Sequence, residues 1–214
     1  MMRSYLTGAL IILAALTYGC ADPAANKTKA TVSNAKSESA TPQPAGGEKL
    51  VITPENSKVE FVAAKVTRSH NGSFKQFTGT IDLAPNSIEA SRVTIDIDTG
   101  SVVTDEDALT AHLKTPDFFD VAKFPKATFV SSKIEPGNTA STTHEVTGNF
   151  DLHGMKKSIT FPATIHVTPE SVTVDAEFSI NRKDFGIVYA GKADDLIRDG
   201  VVIKLTIKVP RGKS

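Results

Sequence analysis

The chain has 214 residues, with 24 basic and 24 acidic side chains, one cysteine and no tryptophan. Zero net charge argues against nucleic acid, or an anionic surface held by charge, as a partner. One cysteine excludes a disulfide within the chain, so the fold must rest on its apolar core.

Arg3 supplies a small positive lead, and residues 6–16 form an apolar run shorter than the ~20 residues a membrane span needs. The run closes on Leu16-Thr17-Tyr18-Gly19-Cys20. A small residue followed by the sole cysteine resembles a bacterial lipobox, in which the 19–20 bond is cut and the Cys20 thiol is acylated, with palmitate among the expected chains. Thr17 departs from that pattern, which prefers Leu there. The other reading is an ordinary secretory signal with an incidental thiol. As a lipobox, residues 1–19 are a lipoprotein signal peptide, and the protein is exported to the cell envelope, facing the periplasm or the cell surface. Its membrane contact is then the lipid on Cys20, since two acyl chains anchor stably where one is marginal. Ala21 is not the Asp that retains some lipoproteins at the inner membrane, which favours the outer membrane. Removing residues 1–19 takes away Arg3 alone, leaving 23 basic against 24 acidic residues.

Residues 20–48 are rich in Ala, Ser, Thr, Lys and Pro, lack aromatics, and hold Val32 as the only branched aliphatic before Leu50. Such a segment buries too little apolar surface to offset its ordering entropy, so it reads as a disordered tether spanning ~30 Å.

From Lys49 the apolar residues recur every second position: Val59/Phe61/Ala63, Phe77/Gly79/Ile81/Leu83 and Val93/Ile95/Ile97. Further along come Val146/Gly148/Phe150/Leu152, Ile159/Phe161/Ala163/Ile165, Val172/Val174/Ala176/Phe178/Ile180 and Val201/Ile203/Leu205/Ile207/Val209. This period marks strands with one buried face. Thr104–Leu113 reads as a short helix with Thr104 as N-cap and Leu109 and Leu113 on one face. The pattern predicts an all-β fold over residues 49–211, an antiparallel barrel or sandwich of about eight strands with a short helical insertion. A barrel of that size either fills with its own side chains or holds one small ligand. Gly79, Gly148, Ala163 and Ala176 on the inner face fit both outcomes.

The run His112–Phe129, HLKTPDFFDVAKFPKATF, is less generic. With Asn56–Phe61 and Gly72–Gly79, Val146–Gly154 (VTGNFDLHG) and Ile180–Ile187 (INRKDFGI), it resembles the YceI-like family in order and spacing from Lys49 to Val209. Phe150 stands where Leu is commoner in that pattern. The resemblance implies an extended, eight-stranded lipocalin-like barrel with a long apolar pocket for a polyisoprenoid or other lipid. The five histidines do not pair at metal-ligand spacing, and the sequence has no HExxH, no cysteine cluster and no Gly-x-Ser-x-Gly elbow, so no catalytic residue, no metal and no cofactor beyond a bound isoprenoid lipid are expected.

Phe61, Phe129, Phe150, Phe161 and Phe178 are the candidate lining residues, and Phe118 and Phe119 candidates for closing one end. Lys65, Arg68 and Arg182 are head-group candidates. For Lys65 and Arg68 the coat of an exposed hairpin is the favoured reading, and for Arg182 a clasp with Asp184 two residues along a strand. His112, Asp117 and Asp120 form a possible acid-base or metal group, or a polar loop at a helix end. The function expected is binding and carriage of a long apolar ligand in the envelope without catalysis. A filled structural or stress-related module that binds a protein partner, and an enzyme using the His112 region, are the alternatives. A homodimer stays open.

Overall fold

In the computed structural model, residues 21–35, 47–139 and 142–212 are described. Cys20, with the signal segment before it, lies outside them. Along the chain run β1 (Thr31–Asn34), β2 (Glu48–Ile52), β3 (Ser57–Ala64), β4 (Ser69–Phe74), β5 (Phe77–Leu83), β6 (Arg92–Asp98) and β7 (Val102–Thr104). Helix α1 (Asp107–Leu113) follows, then β8 (Lys126–Thr139), β9 (Thr142–Leu152), β10 (Met155–Val167), β11 (Ser171–Asn181), β12 (Gly191–Lys192), β13 (Asp195–Leu196) and β14 (Gly200–Pro210).

Among the described residues, twelve strands make one antiparallel sheet in the order β2-β5-β6-β8-β9-β10-β11-β14-β3-β4-β7, with β1 added on β10 and β12–β13 forming a separate small hairpin. The all-β, lipocalin-like expectation holds, with more strands than eight. The extra ones are short pieces such as β1, β2 and β7, whose length gives period two little room to show. The sheet curls until inner faces of β3 and β14 oppose those of β6, β8 and β9, and the core occupies the hollow. Register is held by alternation, because a one-residue slip would turn every core side chain outward. Phe129 of β8 faces Phe150 of β9, and Phe161 of β10 faces Val146 of β9.

Two expectations are corrected. The helix begins at Asp107, not Thr104. Thr104 ends β7, and its hydroxyl accepts from the Glu106 N–H and donates to the Glu106 carbonyl, so it shapes the turn before the helix. The segment read as a disordered tether is ordered over residues 21–35. Ala30 is 3% exposed, its N–H donates to the Ser179 carbonyl at 2.8 Å, and β1 pairs with residues 157–160 of β10. The reason lies in β10. Residues 164–167 pair with β11, residues 155–163 pair with β9, and between β10 and the far end of β11 the edge is open. Backbone donors and acceptors there demand partners, and the N-terminal strap supplies them. Composition registers apolar content, not a ladder offered by strands far away in sequence.

Candidate functional site

The inward side chains do not fill the curl. A cavity of about 110 Å³ lies in it, walled by Val59 and Phe61 of β3, Ile95 and Ile97 of β6, Phe129 of β8, Phe150 of β9, Phe161 of β10, Phe178 of β11, and Ile203 and Leu205 of β14. A second void of about 100 Å³ adjoins it, with Phe61, Phe74, Phe150 and Ile203 as shared wall, and continues past Phe118 and Phe119 to Ile197. From Ile207 to Val201 of β14 the two voids cover ~20 Å of strand. Ile203, Leu205 and Val174 point inward yet are only half-buried, because they face empty space.

The small inner residues make room for rings. A Cβ on Gly72 would collide with the end of the Phe61 ring, and one on Gly148 with Phe129 and the Val130 carbonyl. Phe161 stacks on Phe178 at 4.2 Å between centroids, and Phe129 leans on Phe161 at 5.6 Å. The void is what remains after these rings are seated. Left unfilled, it forgoes on the order of 2–3 kcal/mol of packing. The central wall offers water no polar partner, so nothing there would hold an ordered water.

Beyond the second void the hollow widens into a vestibule of about 330 Å³, reached past Leu113 and Phe118, which wall both spaces. His112, Phe118 and Tyr189 meet edge to face there, with centroids 5.0, 5.3 and 5.5 Å apart. Polar groups around this mouth come in pairs. Lys65 Nζ lies 2.7 Å from Asp195, Arg68 3.5 Å from Glu106, His70 Nδ1 2.9 Å from Asp105, and His112 Nε2 2.8 Å from Asp117. Hydrogen bonds from Lys65 and Thr67 hold the Asp195 carboxyl below the usual range. Burial pushes Asp105 up, but its bonds with His70 and the Asn71 backbone outweigh that and leave it lowered. Asp120, grouped with His112 in the sequence, sits at φ 46° in the following turn, where its carbonyl accepts from the Phe124 N–H.

Arg182 is corrected in both partner and setting. Residues 182–185 form a 3-10 turn, not a strand, and the carboxylate beside the guanidinium is Asp199, at 3.3 Å, rather than Asp184. Nε donates to the Arg198 carbonyl, Nη1 to that of Ile187 at 2.8 Å and Nη2 to that of Ile197. Burial pushes this pKa down while Asp199 opposes it, and the guanidinium stays a cation regardless. Its donors are taken by protein acceptors, and it clasps the 187–198 loop to the end of β11.

The model of the YceI-like domain matches residues 50–209, from β2 through β14. The chain belongs to the YceI-like family. The UPF0312 protein of Pseudomonas putida strain W619 is 34% identical over 123 residues, which cover 55% of this chain and 63% of that protein. The match therefore spans less than two thirds of that relative's length. The UPF0312 protein of Pseudomonas fluorescens strain SBW25 is 32% identical over 133 residues, covering 59% and 68%. Among solved structures, BcnA of Burkholderia cenocepacia superposes with a TM-score of 0.65 at 25% identity, over 73% of this chain and 98% of that one. A polyisoprenoid binding domain from Saccharophagus degradans, implicated in plant cell wall breakdown, superposes at 0.60 with 17% identity, covering 78% and 99%, a likeness of fold alone.

On this YceI-like fold, the candidates Phe61, Phe129, Phe150, Phe161 and Phe178 come together around the central void, and Phe118 and Phe119 lie farther toward the mouth. Lys65 lines the vestibule, while Arg68 reaches it only through Glu106. Sequence reasoning missed Phe74, Tyr189, Asp195 and Ile197. Tyr189 lies in the aperiodic stretch Ile187–Gly191, where alternation offers no signal. Among the described residues, no group of three His, Cys, Asp or Glu side chains is placed to hold a metal.

Proposed function

We propose that this protein holds a long apolar chain, a polyisoprenoid or another lipid, in the hollow of the sheet, with the polar end of the ligand in the vestibule beside Lys65, His112 and Tyr189. The observation that carries the reading is the hydrocarbon-walled pair of voids adjoining a vestibule of paired polar groups. Each methylene taken from water contributes ~0.8 kcal/mol, so one isoprene unit contributes roughly 3–4 kcal/mol. Affinity then comes from chain length, and the polar pairs set orientation. The fold shared with the S. degradans polyisoprenoid binding domain supports the same reading. No bond is made or broken: the chemistry is sequestration, with carriage in the envelope. The lipid on Cys20 tethers the barrel to a membrane, with the outer membrane favoured.

Organic extraction of the purified protein, followed by mass spectrometry, is expected to release an isoprenoid or lipid in near-stoichiometric amount. A protein that yields none, and whose melting temperature is unmoved by added long-chain isoprenoid, would reject the reading. Cys20→Ala is expected to move the protein from membrane to soluble fractions, and unchanged partition would reject the anchor.

A further inference from the structure

We infer that the rim of the vestibule docks directly on a phospholipid bilayer, with the cavity mouth facing the lipid. Of five large apolar side chains exposed among the described residues, Val66, Val188 and Leu196 lie on the loops around this mouth. The Val66 N–H donates to the Leu196 carbonyl at 3.0 Å, so the turn after β3 and the β12–β13 hairpin form one surface. Lys65, next to Val66, bridges to Ile197 and pairs with Asp195, which fastens that surface down. Val188 precedes Tyr189 of the vestibule wall and is 64% exposed. Exposed apolar patches concentrated in one place mark an interaction surface, unlike apolar residues scattered singly.

Two observations select a bilayer as the occupant. The patch rings the mouth of a hydrocarbon-walled hollow, so an apolar chain leaving a bilayer reaches the cavity here without crossing water. The N-terminal strap also brings the start of the described chain to this end. Asp22 pairs with Arg198 at 3.6 Å, Ala24 packs beside Gly200, and the Arg198 N–H donates to the carbonyl of Ala64 on the mouth wall. Position 20 is two residues from Asp22, within about 7 Å of chain. A lipid carried at that position would draw this end toward the membrane. Lys65 and Arg68 are both paired with carboxylates, so docking runs on apolar insertion rather than on anionic lipid. The inference goes beyond ligand binding, and its choice of occupant rests on the carrier reading and on the lipid proposed at position 20.

The test uses the chain from residue 20 onward, which keeps every described residue, with Cys20→Ser to remove the anchor. It is sedimented with phosphatidylcholine vesicles in low salt and in about 0.5 M salt, where charge attraction is screened. Binding is expected in both, and to fall at least about fivefold in V66D/L196D, since two branched aliphatics no longer insert. V51D, an equally exposed valine on β2, is expected to bind like the parent. Hydrogen exchange of the unsubstituted chain with vesicles supplies a readout independent of variant folding, with protection expected in residues 65–68 and 188–197. Equal binding by the rim and Val51 variants, or no added protection at the rim, overturns the inference. So does a rim substitution that dissolves a lipid-free dimer without changing vesicle binding, because a second copy then covers the patch. None of these readouts involves a cavity ligand, so failure here is distinct from failure of the carrier reading.

Discussion

Arg182 gathers three backbone carbonyls and the Asp199 carboxylate around one buried guanidinium. Arg182→Leu removes every donor and leaves the Ile187 carbonyl buried without a partner and the Arg198 and Ile197 carbonyls part-buried, at a cost of about 2–4 kcal/mol. Arg182→Lys is expected to recover less than half of this, because one ammonium cannot span acceptors arranged for a planar fork. Urea denaturation measures both. Binding of an apolar ligand per folded molecule is expected to be unchanged in the Lys variant; a loss there would return Arg182 to the head-group role. At this scale the sequence was informative about apolar positions. Phe150, Phe161 and Phe178 fall inward because period two leaves one choice of face. It was uninformative about polar partners: Asp184 is near Arg182 along the chain, whereas Asp199 arrives only when the β12–β13 hairpin folds back.

The strap is the element whose behaviour depends most plainly on pH. One of its ion pairs joins Lys27 to Glu177 at 2.9 Å, and the hydrogen bond from Lys27 holds the Glu177 carboxyl below its usual value. A lowered folded-state pKa contributes stability that is fully present above the unfolded value of about 4.3 and is lost as pH falls through the folded one. Both partners are more than a third exposed, so the effect is local rather than global. Amide exchange of residues 28–34, corrected for its intrinsic pH dependence, is expected to accelerate relative to β9 and β10 below about pH 4. Lys27→Ala should produce that acceleration at neutral pH and flatten the step. The strap was illegible in the sequence because four strand residues draw their stability from the edge they meet. The long strands β9, β10, β11 and β14 were legible because each repeats its alternation many times.

For the whole molecule, the decisive quantity is the unfilled volume. Val174 of β11 faces the central void and is half-buried. Val174→Phe places a ring in that space and is expected to leave the ligand-free melting temperature unchanged or raised, while lowering bound ligand at least about tenfold. Had the barrel been filled, the same change would overpack it and cost about 1–3 kcal/mol. Thermal denaturation together with extraction separates the two. Long-chain isoprenoid added to the parent should raise stability with the logarithm of its concentration, and the Phe variant should lack that slope.

Strand alternation, the inner face and the family are readable along the chain, since each is written in local period and in ordered motifs. That the hollow keeps a void, that Arg182 serves a loop, and that the N-terminal segment closes a seam emerge only in the folded molecule. All three share one cause. Cavity volume, a buried cation's partners and an open strand edge are set by distances between residues far apart in the chain. Local pattern carries the direction of a side chain, but not what stands opposite it.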